Sequence, residues 1–453
     1  FVVLSERIPA DHRLPRPRAK RDGSEMIASE GEPTGALMRQ LSGDFLFVAG
    51  SDLYNPLNQP SQHMPYHLAR HLDRLDVVGY TRFYDGPPAP AWKRLKQGMR
   101  NVVSRRITIS EAGHVRTIAA RRLRLPGALD PMGQDLWMYV LLRPHLKESY
   151  QVGIVDGPES ALLARWLRKT GRIRFLVYYD IDYYPGVYPQ WSALVSWRER
   201  LCCKEADAVA SVSRPLAALR KQQGAAVVAV VPNGVDFARF HAAGLRRGEH
   251  QPTLIYVGTL DARWGVDLPI RAMPLLRREI PDIRLLIAGR GPAEQELRQL
   301  ASSLELGDAV RFEGFVPHSA LPELLAQADV GVATSRRDAF RRYASPLKIV
   351  EYMATGLPVI CSGGGEAEQM VEESRAGMNI PFEPEAFAEA VRALCATPSR
   401  LSAYREAAVN YARGRSWEQM GILMAELVAQ VSEPPNRPQP VTSTVDKGGL
   451  CQP

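Results

Sequence analysis

Short apolar runs alternate with amphipathic stretches along most of this chain, and this alternation constrains the fold more than any other feature. In the first half the apolar runs lie at 44–50, 150–157, 174–180, 207–213 and 226–234. Stretches with helical period, such as 159–171 and 214–224, lie between them. That order is typical of parallel β-α-β units, so we predict an open α/β sheet for the first half.

The same pattern restarts after a polar break at 242–252. In the second half the apolar runs lie at 253–260, 283–291, 309–316, 330–335 and 358–362. We therefore predict two doubly wound, Rossmann-like α/β domains. Such domains would face each other across a cleft at the carboxyl ends of their strands, where ligands bind in this class of fold.

The ends of the chain differ in composition from its middle. They are rich in proline and in polar or charged residues and lack a helical or strand period, which is typical of disorder. The predicted organisation is a disordered segment at 1–43, a first domain at 44–234, a linker at 235–252, a second domain with C-terminal helices at 253–432 and a disordered tail at 433–453.

Charge and cysteine content narrow the choice of partners and compartment. Lysine and arginine outnumber aspartate and glutamate by 57 to 49, and this excess of +8 is typical of a protein with an anionic partner, with a solvated basic surface as the alternative. No apolar run approaches the roughly 18 residues of a membrane span. The five cysteines include no CxxC pair, which argues against zinc and a disulfide framework, so we expect a cytoplasmic protein.

The stretch from Ser345 to Gly365 predicts a short helix followed by a glycine loop. Ser345 is expected to cap the helix, Pro346 suits its first turn, and Lys348 and Glu351 share one face. A helix N-terminus and a lysine attract a diphosphate, and a carboxylate one turn further accepts hydrogen bonds from a ribose diol. The face predicts a sugar-nucleotide site, and a surface ion pair between Lys348 and Glu351 is the alternative.

The glycine run within 362–368 follows a predicted strand and precedes a predicted helix. In that position it favours close approach of the backbone to phosphate or sugar, which makes Gly364 a candidate donor-binding residue. A flexible turn without a binding role is the alternative.

Five segments of the chain occur in an order and spacing that are similar to those of a known family. They are VPNGVD (231–236), YVGTLDARWGVD (256–267), LLIAGRGP (285–292), VRFEGFVP (310–317) and the run 345–365. Over residues 205–430 the chain resembles the C-terminal domain of family 4 glycosyltransferases of the GT-B fold, and the resemblance is weaker before that range.

The resemblance implies a retaining transfer of a sugar from a nucleotide donor, with the donor in the second domain and the acceptor in the first. It implies no metal ion and no other cofactor. It assigns ribose binding to Glu351, places Ser345 in the donor site, and implies that Gly289, Gly291 and Phe315 form walls around the base.

Three positions differ from the family pattern. Tyr343 stands where the family usually has the first of two glutamates, and Thr259 and Trp264 stand in place of its usual basic pair. We therefore assign the phosphate-neutralising and catalytic role to Lys348, with Arg263 as a second cation. A subgroup of the family carries the same Ser-Pro-Leu-Lys run, so these differences resemble variation within the family.

The segment RFLVYYDIDYYPG at 174–186 is a predicted strand that ends in two aspartates among tyrosines. Asp180 and Asp182 are the candidate catalytic groups on the acceptor side, since a carboxylate can orient or deprotonate a hydroxyl group. Capping of the following loop is the alternative role for both.

Histidines follow the first predicted strand at a spacing of four. His63, His67 and His71 would share one face of a helix, which resembles a metal-ligand set. A metal is not expected, because no cysteine or acidic ligand lies nearby, and a face toward the acceptor or toward solvent is favoured.

Segment 92–124 is rich in lysine and arginine with apolar residues between them. An interfacial helix at an anionic membrane needs this composition, so we expect a lipid-linked or otherwise anionic acceptor and peripheral association with the inner membrane face. A solvated basic face is the alternative. Nucleic acid is not expected, since the segment has few aromatic residues and no recognised motif.

Taken together, these features favour a metal-independent glycosyltransferase of glycan or polysaccharide assembly. A sugar-nucleotide epimerase shares the fold, and a non-catalytic scaffold that binds nucleotide sugars is conceivable because Tyr343 replaces a glutamate. An NAD dehydrogenase is disfavoured, because no GxGxxG follows the first strand of either half.

Overall fold

A computed structural model describes residues 40–52, 60–81, 107–121, 129–337 and 339–432. It contains two α/β domains, each built on a largely parallel sheet, and so confirms the predicted fold class. Of the segment predicted to be disordered at 1–43, residues 41–43 belong to the first strand, and residues 1–39 lie outside the described residues, as does the predicted tail at 433–453.

The first sheet has eight strands among the described residues, in the order β3-β4-β2-β1-β5-β6-β7-β8. Its strands are β1 (Leu41–Asp52), β2 (Leu72–Thr81), β3 (Ile107–Ala112), β4 (Val115–Arg121), β5 (Tyr150–Asp156), β6 (Ile173–Asp180), β7 (Ala208–Ser211) and β8 (Val228–Val230). Neighbouring strands are parallel except for the antiparallel pair β3 and β4.

The second sheet is parallel throughout, with six strands among the described residues in the order β11-β10-β9-β12-β13-β14. Its strands are β9 (Thr253–Val257), β10 (Arg284–Ala288), β11 (Val310–Gly314), β12 (Val330–Ala333), β13 (Val359–Cys361) and β14 (Gly377–Asn379).

Helices cover both sheets. In the first half they are α1 (Pro60–Ala69), α2 (Leu129–Leu142), α3 (Ala161–Lys169), α4 (Tyr184–Val187), α5 (Ser192–Glu205) and α6 (Arg214–Gln222). In the second half they are α7 (Phe237–Leu245), α8 (Asp267–Arg277), α9 (Glu294–Ser303), α10 (Leu321–Leu325), α11 (Ala339–Tyr343), α12 (Leu347–Ala354), α13 (Glu366–Ser374), α14 (Pro384–Cys395), α15 (Pro398–Arg413) and α16 (Trp417–Ser432).

The apolar runs of the sequence become strands that are buried on both faces. Phe45 and Phe47 of β1 pack into one core, and the alternate residues Leu46 and Val48 pack into another on the opposite face. This double burial explains why these strands are continuously apolar, because helices cover both faces of a parallel sheet.

The last helix differs from the predicted domain division. Trp417, Met420 and Met424 of α16 pack with Phe45 and Phe47 of the first sheet, although 253–432 was predicted as one domain. Helix α16 therefore returns to the first domain and packs into its core.

The basic segment 92–124 does not form the expected interfacial helix where it is described. Residues 107–112 and 115–121 form the antiparallel strands β3 and β4, joined by a turn at Gly113. The sequence ITIS at 107–110 is rich in β-branched residues and alternates between apolar and polar side chains, and both features favour a strand over a helix. The rest of the segment, at 92–106 and 122–124, lies outside the described residues. None of the helices in the described part combines the length and apolar character of a membrane span.

Candidate functional site

Side chains from the two halves touch each other near the carboxyl ends of their strands, where the sequence predicts a cleft. The Tyr183 ring, which follows β6, lies 4.6 Å from the Tyr343 ring of α11 between centroids. The Ser213 hydroxyl donates to the Tyr343 carbonyl at 2.7 Å. Tyr343 therefore connects the two halves of the site. The sequence showed only that Tyr343 replaces a family glutamate and did not predict these contacts.

Helix α12 begins at Leu347, as predicted, but its start is built differently. Pro346 occupies the N-cap position, and no side chain caps the helix. The predicted cap by Ser345 is wrong: proline fixes the chain just before the helix and keeps the preceding residue out of the helical region. The Ser345 carbonyl instead accepts a hydrogen bond from the Asn233 side chain at 2.9 Å, which ties the helix start to the segment that follows β8.

Lys348 lies inside the cleft against two aromatic rings. Its Nζ is 4.1 Å from the centroid of Tyr256 and 5.3 Å from that of Trp264. Burial, with the charge of Arg341 as a smaller cause, lowers the pKa of Lys348 to about 7, and Glu351 and Cys361 act in the opposite direction. Among the described residues Lys348 forms no ion pair, so the alternative of a surface pair with Glu351 does not describe this structure.

Glu351 is 6% exposed and is held by a histidine that the sequence reasoning missed. Its Oε1 lies 2.7 Å from Nε2 of His318, and Nδ1 of His318 lies 2.9 Å from a guanidinium nitrogen of Arg239. An arginine can only donate, so Nδ1 accepts and Nε2–H donates to Glu351. The position of His318 directly after the VRFEGFVP segment was the available signal.

Gly289 and Gly291, which were predicted to form walls around the base, lie in close contact with the backbone of a neighbouring loop. A Cβ on Gly289 would lie 1.8 Å from the Gly258 carbonyl oxygen, and one on Gly291 would lie 2.2 Å from the Leu260 carbonyl oxygen. These glycines let the loops after β9 and β10 come together. Phe315, just after β11, is 53% exposed. Contact of all three with a base stays a prediction.

The glycine loop before α13 has its own internal partner. Gly364 has a φ of +84°, and its amide donates to Oε1 of Glu368 at 2.7 Å. A phosphate that used this amide would have to displace the carboxylate of Glu368. Donor binding by Gly364 therefore stays a prediction, and it would require the Glu368 side chain to move away from the Gly364 amide.

The structure does not support Arg263 as the second cation. Its side chain is 54% exposed, and its Nε lies 3.1 Å from Oδ1 of Asp261, which neutralises it. The buried cation near Lys348 is Arg341 of α11, whose guanidinium carbon lies 4.2 Å from the Trp264 centroid. The sequence reasoning missed Arg341, although it is one of two arginines just before the Ser-Pro-Leu-Lys run.

Asp180 is a structural residue, and its predicted catalytic role is wrong. Its two carboxylate oxygens accept hydrogen bonds from Arg220 at 2.7 and 2.9 Å, and Ser211 donates to it at 3.1 Å. Arg220 also donates to Glu199 at 2.8 Å, and all three charged side chains are buried. A carboxylate engaged in this way cannot reach an acceptor hydroxyl.

Asp182 is the aspartate that remains available on the acceptor side. It is partly buried, and its Oδ1 accepts a hydrogen bond from the Tyr183 amide at 2.8 Å. Burial raises the pKa of Asp182 to about 7, with the Tyr183 amide opposing the shift, Asp180 adding to it and Arg341 opposing it. A carboxyl group with such a pKa is suited to proton transfer near neutral pH.

The histidines of α1 line the junction with the last helix. The His63 ring stacks on Trp417 at 4.9 Å between centroids, and burial lowers the pKa of His63 to about 4. Nδ1 of His67 lies 3.7 Å from Glu418. In the described ranges no group of three or more His, Cys, Asp or Glu side chains is placed to hold a metal ion.

Comparisons with known proteins agree with this architecture. The family model described as Glycosyltransferase Family 4 matches residues 63–239, and the one described as Glycosyl transferases group 1 matches residues 239–415. The solved structure of sucrose-phosphate synthase from Thermosynechococcus elongatus superposes with a TM-score of 0.65 at 20% identity, covering 86% of this chain and 98% of that one.

Two relatives illustrate the range of similar sequences. The GDP-mannose-dependent α-(1-6)-phosphatidylinositol monomannoside mannosyltransferase of Mycolicibacterium smegmatis is 33% identical over 211 residues, which are 44% of this chain and 55% of that protein. The D-inositol 3-phosphate glycosyltransferase 1 of Catenulispora acidiphila is 28% identical over 319 residues, which are 66% of this chain and 72% of that protein. The chain thus spans about half the length of the first of these relatives.

Proposed function

We propose that this chain, which belongs to the family 4-like glycosyltransferases of the GT-B fold, transfers a sugar from a nucleotide-sugar donor to a glycan or lipid-linked acceptor with retention of anomeric configuration. One observation carries the proposal: Lys348 of α12 lies against Tyr256 and Trp264 of the second half, and Tyr343, just before α12, contacts Tyr183 of the first half. A relative whose name specifies GDP-mannose supports a nucleotide-sugar donor.

The donor site has separate groups for the phosphates and for the ribose. Lys348 supplies a positive charge that no ion pair neutralises in the described structure, and this charge stabilises both the bound diphosphate and the leaving group. Glu351 keeps most of its acceptor capacity, because a carboxylate accepts about four hydrogen bonds and His318 uses one. Charge neutralisation by Lys348 is the reason that the proposal includes no metal ion.

The acceptor site is centred on Asp182. A hydroxyl group of the acceptor would donate to its carboxylate, which takes the proton as the new glycosidic bond forms. Tyr183 and Tyr343 present aromatic surface beside it, which suits the apolar faces of a sugar ring.

We also propose action in the cytoplasm at the inner face of the membrane. The excess of positive charge favours an anionic surface, and the name of one relative specifies a phosphatidylinositol-linked acceptor. The cysteines at 202, 203 and 361 are free and buried, as expected in a reducing compartment.

A turnover assay tests this function. Purified protein is incubated with UDP-glucose and with GDP-mannose, with and without membrane lipid, and release of the nucleoside diphosphate is measured. We expect release with one donor, loss of release in Lys348→Ala, and a product whose anomeric configuration equals that of the donor. An inverted product would overturn retention, and absence of release from every donor would overturn the enzyme assignment.

The replacement of a family glutamate by Tyr343 favours one alternative, a non-catalytic protein that binds nucleotide sugars. Such a scaffold would bind UDP or GDP and release no sugar. A sugar-nucleotide epimerase would instead change the donor without any acceptor. Product analysis of the same assay separates these three functions.

A further inference from the structure

Both ring nitrogens of His318 have a hydrogen-bond partner on another element of the second half. His318 lies in the loop between β11 and α10, whereas Glu351 belongs to α12 and Arg239 to α7. Nε2 is 2.7 Å from Oε1 of Glu351, and Nδ1 is 2.9 Å from a guanidinium nitrogen of Arg239. The same guanidinium nitrogen lies 3.3 Å from the His318 carbonyl oxygen. A loop and two helices therefore hold this side chain next to the proposed ribose acceptor.

Arg239 determines which nitrogen of His318 carries the proton. A guanidinium can only donate, so Nδ1 must accept, and the proton of the neutral imidazole lies on Nε2. Arg239 is itself held in place, because its Nε lies 3.7 Å from Oδ2 of Asp236 and its guanidinium carbon lies 5.3 Å from the centroid of Phe240. The Nε2–H group of His318 therefore donates to the carboxylate of Glu351.

The ring of His318 also packs against an aromatic side chain of the core. Its centroid is 5.5 Å from that of Phe240, and the two ring planes are tilted by 52°. Phe240 is fully buried, so this support is rigid. The His318 side chain is 20% exposed and the Glu351 side chain 8% exposed. A hydrogen bond at such a shielded position is electrostatically stronger than the same bond in water.

We propose that His318 is the positioning residue of the ribose site, where it holds one oxygen of Glu351 so that the carboxylate meets the ribose diol in a fixed orientation. This inference rests on the proposed function, which makes Glu351 the ribose acceptor. A long side chain loses rotational freedom when it binds a ligand, and a contact that exists before binding removes part of that cost. His318 uses one of about four acceptor positions of the carboxylate and leaves the others for the 2′- and 3′-hydroxyl groups.

A fixed carboxylate also has a consequence for specificity. When Glu351 is already aligned with the 2′-hydroxyl group, a 2′-deoxyribose leaves that acceptor position without its donor. A mobile carboxylate would instead turn toward the hydroxyl group that remains. His318 should therefore increase the preference of the site for ribose over 2′-deoxyribose.

Two substitutions separate the hydrogen bond of His318 from its packing. His318→Phe keeps a ring beside Phe240 and removes the donor to Glu351, whereas His318→Gln keeps an N–H donor and removes the ring. His241→Phe and His241→Gln are the matched controls, since His241 is a half-buried histidine of α7 that stacks on Phe237 at 5.1 Å between centroids.

Calorimetry measures the affinities for uridine and guanosine, for UDP and GDP, and for the 2′-deoxy form of each. His318→Phe should lower the affinity for the nucleoside that binds, and for its diphosphate, about three- to tenfold, which is the scale of one lost hydrogen bond. The preference for ribose over 2′-deoxyribose should fall in the same variant. His318→Gln should restore most of both properties, and the His241 variants should match the wild type.

A double-mutant cycle distinguishes a positioning role from a purely structural one. If His318 acts through Glu351, adding His318→Phe to Glu351→Ala lowers the nucleoside affinity no further. A residue that only stabilises the loop would lower the affinity by the same factor in both backgrounds, and that result would overturn the inference.

The tautomer of His318 provides a direct check on the wild type. Nitrogen-15 NMR of protein with labelled histidines, assigned with His318→Gln, should show the proton of His318 on Nε2 at neutral pH. A proton on Nδ1 alone would leave Nε2 unable to donate to Glu351 and would overturn the inference.

The outcomes separate this inference from the proposed function. If the wild type binds none of these ligands, or if Glu351→Ala binds the nucleoside as tightly as the wild type, the ribose site is wrong and the inference falls with it. If Glu351→Ala lowers the affinity and a folded His318→Phe protein does not, the ribose site stands and His318 has no positioning role. Should His318→Phe fail to fold, His318→Ala takes its place in the cycle.

Discussion

The two halves of the cleft use charged residues in opposite ways. In the first half, Asp180, Arg220 and Glu199 form a buried network in which opposite charges neutralise one another. In the second half, Lys348 lies against the rings of Tyr256 and Trp264 and forms no ion pair among the described residues. A matched network stabilises the fold, whereas a buried cation without an ion-pair partner is suited to bind a ligand of opposite charge.

This difference gives a criterion for separating structural from functional charges in such a cleft. Asp180 and Asp182 are two residues apart at the end of the same strand, yet only Asp180 has a buried arginine as partner. The partner, and not the position in the sequence, decides the role.

The largest effect is expected from the matched network. Arg220→Ala should lower the free energy of unfolding by about 3–5 kcal/mol, because it leaves two carboxylates buried without their cation. Arg246→Ala is the control, since the Arg246–Glu323 pair is 61% and 62% exposed and should contribute at most about 1 kcal/mol. Denaturant unfolding measures both, and equal losses would break the distinction between buried and exposed pairs.

Asp182→Asn tests the remaining aspartate. We expect the transfer rate to fall at least about a hundredfold while donor affinity stays the same, because the amide cannot accept the proton of the acceptor. Asp282→Asn, at an exposed turn before β10, is the control and should retain full activity. Normal turnover in Asp182→Asn would remove Asp182 from the mechanism.

The pH dependence follows from the same carboxyl group. With a pKa of about 7, Asp182 is protonated at lower pH and cannot act as a base. The transfer rate at saturating donor should therefore rise as pH increases from about 6 to about 8. A rate that does not change over this range would contradict a base with this pKa.

Glu351→Ala should lower the affinity for the nucleoside and the affinity for the nucleoside diphosphate by the same factor. The ribose diol would lose a charged acceptor that contributes about 1.5–3 kcal/mol per hydrogen bond, which is about tenfold or more in affinity. Glu296→Ala, an exposed carboxylate on α9, is the control. Unchanged nucleoside affinity in a folded Glu351→Ala protein would end the ribose assignment.

The sequence predicted the parts of the fold that depend on local pattern. The continuous apolar runs became the strands of both sheets, and Pro346 marked the start of the helix that carries Lys348 and Glu351. These signals lie within a few residues of the element they specify. They place the helix at the carboxyl edge of the second sheet once the β-α-β order is known.

The pairings that decide the role of each charge were not predictable. Arg220 follows Asp180 by 40 residues, and His318 precedes Glu351 by 33. Arg341 reaches Trp264 from another helix. A single sequence carries no local signal for such contacts, so Asp180 and Asp182 were equivalent candidates until their partners were known.

Binding of a nucleotide diphosphate by Lys348 is the central feature of the proposed donor site. Calorimetric titration of UDP, GDP and their nucleosides into wild type, Lys348→Ala and the exposed control Lys169→Ala tests it directly. We predict that Lys348→Ala lowers the affinity for the nucleoside diphosphate that binds at least about tenfold and leaves the affinity for the corresponding nucleoside unchanged. Lys169→Ala should leave both affinities unchanged. Equal losses for diphosphate and nucleoside, or no loss for either, would contradict the account.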